Sequence, residues 1–252
     1  MLLKQIGEYW NDRAEGYSQT VRQQLGSDTE LSYRLLLRRG APKAEGLNCL
    51  DIGCGPGFFS VILFSEGHKV TSFDYASDML ARASSNISEA GFVPCTVQGD
   101  AQELPFDDCS FDYIVSRDCI WCLEQPEKAY SEWMRVLKPG GRFLVSDGNY
   151  YLYHYLESYA KERHLREEEA KRTGGRVTHD TYGVDPERIN EIAKDLPLSK
   201  TERPAWDIDC LSSLGFRKLQ IQTDSHIFTD PDTGEDHIHT GHFVIMGEKT
   251  VC

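Results

Sequence analysis

The sequence of 252 residues lacks any long apolar run, and its first residues show no charged segment followed by an apolar stretch. We therefore expect no membrane-spanning helix, no signal peptide and a cytoplasmic location. Basic residues are also scarce, since 27 Lys and Arg against 40 Asp and Glu give a formal net charge of −13. Because an acidic protein repels phosphate backbones, we expect no nucleic-acid or membrane partner, and a small molecule is favoured.

The cysteines form no disulfide framework of the kind that stabilises small secreted domains. They are scattered at positions 49, 54, 95, 109, 119, 122, 210 and 252. Several lie in or beside apolar runs, which favours free thiols in a reducing compartment. Cys119 and Cys122 have C-x-x-C spacing, but no second pair follows at zinc-site spacing. We interpret them as buried loop thiols, with a redox or soft-metal role as the alternative.

Short apolar runs alternate with helical patterns along the middle of the chain. The runs are at 48–52, 69–73, 93–97, 111–115 and 141–146, with helical patterns at 58–65, 77–90 and 127–137. Further helical patterns lie at 1–20, 28–39, 160–172, 185–194 and 206–214, and two late strand patterns at 217–223 and 241–249. This order predicts an α/β, Rossmann-like fold with a seven-stranded, mostly parallel sheet, helices on both faces and an antiparallel edge hairpin.

A polar, tyrosine-rich segment after the fifth apolar run interrupts this alternation. We expect one domain, residues 1–252, with four parts. These are an N-terminal helical cap (1–45), a cofactor-binding core (46–147), a helical lid insertion (148–205), and a C-terminal helix with two strands (206–252). A monomer or a homodimer is expected.

Glycines at alternate positions join the first apolar run to the following helix, in the sequence Cys49-Leu-Asp-Ile-Gly-Cys-Gly-Pro-Gly-Phe-Phe-Ser60. Glycine permits positive φ and lets a ligand approach the backbone, and the helix start offers free N–H groups. The dinucleotide pattern G-x-G-x-x-G would need glycine where Phe58 stands. An NAD-dependent oxidoreductase is therefore a less favoured alternative.

Other elements follow this turn in a recognisable order. Asp74 ends the second apolar run, where a carboxylate can accept two hydrogen bonds from a ribose diol. Gly99-Asp100-Ala101 follows the third run, and Val136-Leu-Lys-Pro-Gly-Gly-Arg-Phe143 leads into the fifth, where Pro-Gly-Gly ends a helix. Together these motifs resemble the class I S-adenosylmethionine-dependent methyltransferases, in particular those that act on small molecules.

The resemblance implies S-adenosyl-L-methionine as cofactor and methyl transfer by in-line displacement to an N, O or S nucleophile of a small molecule. In the family the glycine turn wraps the amino-acid part of the cofactor, and the acid after the third strand meets the adenine amino group. The cofactor-binding residues implied are Tyr17, Asp51, Gly53, Cys54, Gly55, Gly57, Phe58, Phe59, Asp74, Tyr75, Met79, Gly99, Asp100, Ala101, Gln102, Ser116 and Arg117. The candidate catalytic residues are Tyr17, Asp118, Trp121 and His154.

Several of these assignments have alternatives. Tyr17 shares a helical face with residues 10 and 14, so an aromatic core stripe competes with contact to a sulfonium. A base is needed only if the nucleophile carries a proton, and Asp147, His154 and His179 are the candidates. A non-catalytic cofactor-binding module is an alternative to an enzyme. A nucleic-acid methyltransferase is disfavoured by charge and by the sequence 117–120, Arg-Asp-Cys-Ile, where an Asn/Asp-Pro-Pro-Tyr/Phe tetrapeptide would stand.

Histidines cluster near the end of the chain, in His237-Ile-His-Thr-Gly-His242, with His226 before them. On a strand, 237 and 239 share a face while 242 lies on the other unless a bulge intervenes. We therefore favour a polar hairpin over a metal site, and expect no resident metal.

Overall fold

The computed structural model describes residues 2–174 and 181–250, which form helices and strands that alternate in the middle of the chain. The helices are α1 (Leu2–Gln24), α2 (Asp28–Gly40), α3 (Phe58–Ser65), α4 (Ser77–Glu89), α5 (Pro126–Val136), α6 (Glu157–Thr173), α7 (Glu187–Ala193) and α8 (Ala205–Ser213). The strands are β1 (Asn48–Ile52), β2 (Lys69–Asp74), β3 (Thr96–Gln98), β4 (Phe111–Arg117), β5 (Leu137–Gly148), β6 (Phe216–Thr229) and β7 (Asp236–Lys249). Short 3₁₀ turns lie at Ile120–Cys122, Leu152–His154 and Pro197–Ser199.

The strands form a seven-stranded sheet in the order β3-β2-β1-β4-β5-β7-β6. The first five in this order pair in parallel, and β7 pairs antiparallel with both β5 and β6. Successive strands are added in one direction from β1 to β3 and in the other direction from β4, so the strand order reverses between β1 and β4. In open sheets, ligands bind beyond the carboxyl ends of the strands at such a point. The predicted fold class, including its antiparallel edge pair, is confirmed.

Alternate residues of the central strands pack against two different helical layers. Leu50 of β1 and Ile114 of β4 join a cluster with Trp133 of α5. Cys49 and Val115, one position away, join a second cluster that includes residues of α2 and α3. Because successive side chains on a strand point to opposite faces, this division places helices on both faces of the sheet.

Several element boundaries differ from the sequence expectation. Helix α2, predicted at 28–39, extends to Gly40 and is capped by Ser27, whose hydroxyl accepts a hydrogen bond from the Thr29 amide at 3.2 Å. Strand β3 begins at Thr96 instead of 93, because Pro94 has no amide hydrogen to donate to a ladder. Strands β6 and β7 are both longer than expected, and residues 224–229 and 236–240 are paired strand rather than polar loop.

A fully buried charge network ties β5 to the start of α8. The Asp147 carboxylate accepts the Trp121 amide at 3.0 Å and pairs with Arg203, whose Nη1 lies 3.0 Å from Oδ2. Arg203 also makes a two-pronged contact with Asp207, at 2.9 and 2.6 Å, and the Tyr130 hydroxyl donates to the same carboxylate at 2.6 Å. Each buried charge is thus paired, as burial requires.

The segment between β5 and α8 starts and ends at one point of the structure. The Asn149 side chain accepts the Arg203 amide at 3.0 Å and donates to the Arg203 carbonyl at 2.8 Å. Its helix α6 packs against the β6–β7 hairpin, where Lys161 pairs with Asp230 at 2.7 Å. No helix among the described residues is both long and apolar enough to cross a bilayer.

Candidate active site

A cavity of about 930 Å³ lies at the carboxyl ends of β1, β2 and β4, underneath α1. Small-molecule sites in open α/β sheets occur at this position, beyond the strand ends where the strand order reverses. The α1 residues that face it recur at helical spacing, so one face of this helix covers the cavity. These residues are Leu3, Ile6, Gly7, Trp10, Tyr17 and Val21.

The glycine turn after β1 has the backbone conformation that its sequence predicts. Gly53 and Gly55 have φ of 65° and 51°, in the left-handed region that favours glycine. A Cβ on Gly53 would lie 2.4 Å from the Cys119 sulfur, and one on Gly55 would lie 3.4 Å from the ring of Tyr17. The turn is therefore packed on one side by the loop after β4 and on the other by the aromatic face of α1.

Asp74, at the end of β2, holds this turn in place. Its Oδ2 accepts the Gly55 amide at 2.8 Å and its Oδ1 accepts the Ala76 amide at 2.9 Å. Burial raises the pKa of Asp74, while these backbone hydrogen bonds lower it. Each carboxylate oxygen can accept more than one hydrogen bond, so a diol at the cavity wall has acceptors available.

Asp51 is the most deeply buried acid of the cavity, with 1% exposure. Its Oδ2 accepts the Ser60 hydroxyl at 2.6 Å, and burial raises its pKa to about 7. A cation nearby would favour the charged carboxylate and lower this pKa.

Asp100 follows β3 and is positioned by its neighbour Gln102. The Gln102 amide and side-chain nitrogen both donate to Asp100 Oδ1, at 2.9 and 2.8 Å, while Gln102 Oε1 accepts the Gln125 amide at 2.5 Å. Gln102 does not line the cavity. Gln102 instead connects Asp100, the acid predicted to meet the adenine amino group, to the start of α5.

Asp118 and Arg117 end β4 and face the cavity from the side opposite β2. Asp118 has a φ of 55°, a conformation that is uncommon for a residue with a side chain and concentrates at functional sites. Its carboxylate accepts the Tyr150 hydroxyl and lies 3.3 Å from Arg117 Nε. The Arg117 guanidinium lies over the rings of Tyr33 and Phe58, at 4.7 and 4.8 Å from their centroids.

A second cavity, of about 940 Å³, lies beyond Tyr150. Asp118 lines the first cavity and Tyr150 lines the second, so their hydrogen bond forms part of the partition between the two. Seven described residues of the insertion line this second cavity, and none of the described ones lines the first.

The structure brings most of the predicted site residues to one wall or another of the first cavity. Those that line it are Tyr17, Asp51, Gly53, Cys54, Gly55, Phe58, Phe59, Asp74, Tyr75, Met79, Gly99, Asp100, Ala101, Arg117 and Asp118. Gly57 and Ser116 lie just behind the wall. Gly57 packs against Ala83 of α4, where a Cβ would approach the Ala83 Cα to 3.3 Å, and Ser116 donates to the Ile52 carbonyl at 2.8 Å.

Two of the predicted catalytic residues do not line the cavity. Trp121 is buried, and its Nε1 donates to the Asp118 carbonyl at 2.9 Å. His154 packs against Tyr153, with ring centroids 4.3 Å apart, and lines neither cavity. Among the candidate bases, Asp147 is held by Arg203, and His179 lies outside the described residues.

The cap and the loop after β4 also supply residues that the sequence analysis did not assign to the site. Leu3, Ile6 and Gly7 follow the spacing of a buried helical face, which is equally typical of core packing. A Cβ on Gly7 would lie 2.6 Å from the Tyr75 ring, so glycine here lets that ring approach the cap. Cys119 and Cys122 both line the cavity. Burial and contact with Cys122 raise the pKa of Cys119 well above its usual range.

Four carboxylates and one guanidinium line this cavity, which gives it an acidic character. A parallel sheet with a glycine turn after β1 and an acid at the end of β2 defines a Rossmann-like nucleoside-binding protein. The acidic wall suits a nucleoside that carries positive charge better than one that carries a pyrophosphate.

Comparisons with known proteins identify a methyltransferase domain in the middle of the chain. A family model described as methyltransferase domain matches residues 50–145. The chain is 34% identical over 143 residues to the malonyl-[acyl-carrier protein] O-methyltransferase of Erwinia billingiae, covering 56% of this chain and 52% of that protein. It is 36% identical over 104 residues to the phosphatidylethanolamine N-methyltransferase of Cereibacter sphaeroides, covering 40% and 51%. The chain thus spans about half the length of these curated relatives.

Solved structures share the fold. Phosphoethanolamine N-methyltransferase 2 of Haemonchus contortus, solved with S-adenosyl-L-methionine, superposes with a TM-score of 0.56 at 19% identity over 87% of this chain and 52% of that one. A candidate methyltransferase of Bacillus halodurans superposes with a TM-score of 0.60 at 20% identity, over 87% and 100%. Residues 50–145 thus match a methyltransferase domain, and the relatives that the chain resembles are methyltransferases of varied substrates.

Proposed function

We propose that this protein catalyses methyl transfer from S-adenosylmethionine to an N, O or S nucleophile of a small molecule, in the cytoplasm. The observation that carries the proposal is the acidic cavity at the glycine turn, roofed by the aromatic face of α1. The cofactor is cationic at sulfur and at its amino group, so the four carboxylates favour it. The free cysteines of the described residues agree with a reducing compartment.

The residues of the cavity fit the cofactor. Asp74 would accept the ribose hydroxyls, and Asp100 would accept the adenine amino group beside the Ala101 amide. The turn at Gly53 and Gly55 would lie against the amino-acid part, and its glycines are needed there because side chains would clash with Cys119 and crowd Tyr17. When bound, the cofactor supplies an electrophilic methyl group on a sulfonium.

The acceptor would enter from the side of Asp118 and Tyr150. The Asp118 carboxylate is held by Tyr150 and Arg117, and its carbonyl accepts the Trp121 indole. Asp118 can therefore orient the nucleophile and accept its proton, and Trp121 is a positioning residue behind it. The placement of His154 gives no support to a role as base.

Proximity explains most of the rate in this proposal. When the nucleophile is held in line with the methyl group, the entropy cost of bringing the two together is met on binding, and the apolar lining excludes competing water.

A pyrophosphate at the same turn would lie beside the buried carboxylates of Asp51 and Asp74, which disfavours a dinucleotide. Tyr17 and Trp10, with ring centroids 5.9 Å apart, offer aromatic surface to the cationic sulfur.

Labelled cofactor and a metabolite extract test the proposal. We expect label in a small-molecule product, and loss of both product and S-adenosylhomocysteine binding in Asp74→Ala. In Asp118→Asn we expect product formation to fall on the order of a hundredfold while binding stays within about twofold. Asp107→Asn, an exposed acid, is the matched control. Binding without any transfer would favour a non-catalytic module, and a thermal shift with NAD but none with S-adenosylhomocysteine would favour an oxidoreductase.

A further inference from the structure

The second cavity carries a cluster of metal-ligating side chains that the proposed methyl transfer does not use. Glu162 of α6, His226 of β6 and His239 of β7 each present a donor atom, and these atoms lie within 4.8 Å of one another. All three residues line the second cavity. No ion is present, and the question is whether these donors are built to hold one.

The fold brings the two histidines together through strand register. His226 and His239 are directly paired in the β6–β7 ladder, and paired residues present their side chains on the same face of a sheet. A register shift lies between Asp224 and Ser225, just before this pair, and it separates the pair from His242. The sequence pattern within β7 could not show this pairing, because it depends on the partner strand.

Helix α6 brings the carboxylate over the histidine pair. Glu162 Oε1 lies 2.7 Å from His226 Nε2, and Oε2 lies 2.5 Å from His239 Nδ1. Next to it in sequence, Lys161 pairs with Asp230 in the hairpin turn, and Tyr159 stacks on the His239 ring with centroids 3.9 Å apart. The helix is therefore fixed to the hairpin directly before Glu162.

We propose that Glu162, His226 and His239 bind a divalent transition-metal ion of the zinc class. Two imidazoles and one carboxylate are a donor set that Zn²⁺ accepts, with further positions open to water from the second cavity. Coordination requires the donors to separate by several tenths of an ångström, because the metal would replace the direct contacts between them. The exposed side of His226, at 42%, leaves room for this movement.

The second ring nitrogen of His239 supports this assignment. His239 Nε2 lies 3.0 Å from the Ser158 hydroxyl, on the residue one turn before Glu162. A metal-ligating histidine characteristically uses its other nitrogen for such a hydrogen bond, which fixes the tautomer and the ring orientation. Ser158 would thus hold Nδ1 unprotonated and directed at the metal.

Arg166 distinguishes a metal site from a simple ion-pair cluster. Its guanidinium pairs with Glu162 and lies 3.3 Å from His226 Nε2, and its side chain is 57% exposed. In the metal-bound state this cation must move away, and its exposure permits that. Removing it should therefore strengthen metal binding, whereas removing it from an ion-pair cluster would create no metal affinity.

Titration of the metal-stripped full chain with Zn²⁺, followed by elemental analysis after gel filtration, tests the proposal. We expect about one Zn²⁺ per chain, with binding weakened on the order of a hundredfold in Glu162→Gln and in His239→Gln. His237→Gln, two residues away on β7, is the matched control and should change affinity by less than about twofold. Arg166→Ala should bind Zn²⁺ more tightly than the unmodified protein.

Two further readouts keep the test decisive. Co²⁺ bound at this site should give ligand-field bands without a thiolate charge-transfer band, which excludes the free cysteines as ligands. S-adenosylhomocysteine binding should be unchanged in Glu162→Gln, which shows that the variant folds and separates this proposal from the proposed function. Equal Zn²⁺ uptake by the unmodified protein and Glu162→Gln, or no uptake by either, would overturn the proposal.

Discussion

The two cavities are built in opposite ways. The first is formed where adjacent parallel strands end, so its acids come from short motifs that each follow a strand. The second is formed where α6 meets the β6–β7 hairpin, so Glu162 and His239 meet across 77 positions of sequence. A cavity assembled from local motifs can be predicted from sequence, while one assembled from distant polar residues requires the structure.

The largest expected effect is on the free energy of unfolding, and it should come from the buried charge network around Arg203. Arg203→Leu would leave Asp147 and Asp207 buried without their shared cation, and breaking a buried pair in this way costs roughly 3–5 kcal/mol. Urea denaturation measures the free energy of unfolding. The exposed pair of Arg172 and Glu169 gives the matched control, since Arg172→Leu should cost less than about 1 kcal/mol. Equal losses in the two variants would contradict the assignment of a buried network.

A pH-dependent change of similar size in the free energy of unfolding should arise from Asp51 in the first cavity. The folded pKa of Asp51 is about 7, above the unfolded value of about 3.9, so the folded state retains a proton that the unfolded state has lost. Its contribution to stability is therefore present at low pH and is lost as pH rises through roughly 4 to 7, by an order of 3–4 kcal/mol.

Asp51→Asn removes this titration and keeps an acceptor for Ser60. Relative to the unmodified protein, the variant should gain stability steadily between about pH 4 and pH 7. Denaturation across this range measures the difference. A difference that does not vary with pH would show that Asp51 does not carry the pH dependence.

Asp74→Ala should affect the two cavities differently. Two charge-assisted hydrogen bonds to a ribose, each contributing about 1.5 kcal/mol or more, predict a loss in S-adenosylhomocysteine affinity on the order of a hundredfold. Zn²⁺ binding at Glu162 should not change. Calorimetry with each ligand tests this, using Asp78→Ala on the exposed start of α4 as control. A parallel loss of both ligands would mean that the cavities are not independent.

The smallest expected effect is on cofactor affinity and concerns Tyr17 in the N-terminal helix α1. Tyr17→Ala should weaken cofactor binding about tenfold through loss of an aromatic surface, whereas Tyr17→Phe should change it by less than about twofold. Burial raises the pKa of Tyr17 to about 12, so the hydroxyl stays protonated at neutral pH and is poorly suited to act as a base. A loss of activity in Tyr17→Phe as large as in Tyr17→Ala would instead assign a catalytic role to the Tyr17 hydroxyl.

Most residues that line the first cavity can be picked out from the sequence because they lie in short motifs that each follow a strand. The glycine turn and Asp74 each combine a strand end with a residue type that has few other uses there. The same reasoning missed Gly7, since a small residue on an apolar helical face carries no mark of the ring that packs on it. It also missed the extensions of β6 and β7, where polar residues hide the strand pattern and pairing depends on the partner strand.

The closure at Asn149 has a consequence for how acceptor preference could change over evolution. Because this one side chain fastens both ends of the segment 150–202, the segment can be exchanged or remodelled without altering the spacing of the sheet on which it stands. A chimaera that grafts the corresponding stretch of another methyltransferase between Asn149 and Arg203 should keep its cofactor affinity while adopting a different acceptor. The cofactor half and the acceptor half of the molecule would then be free to diversify at separate rates.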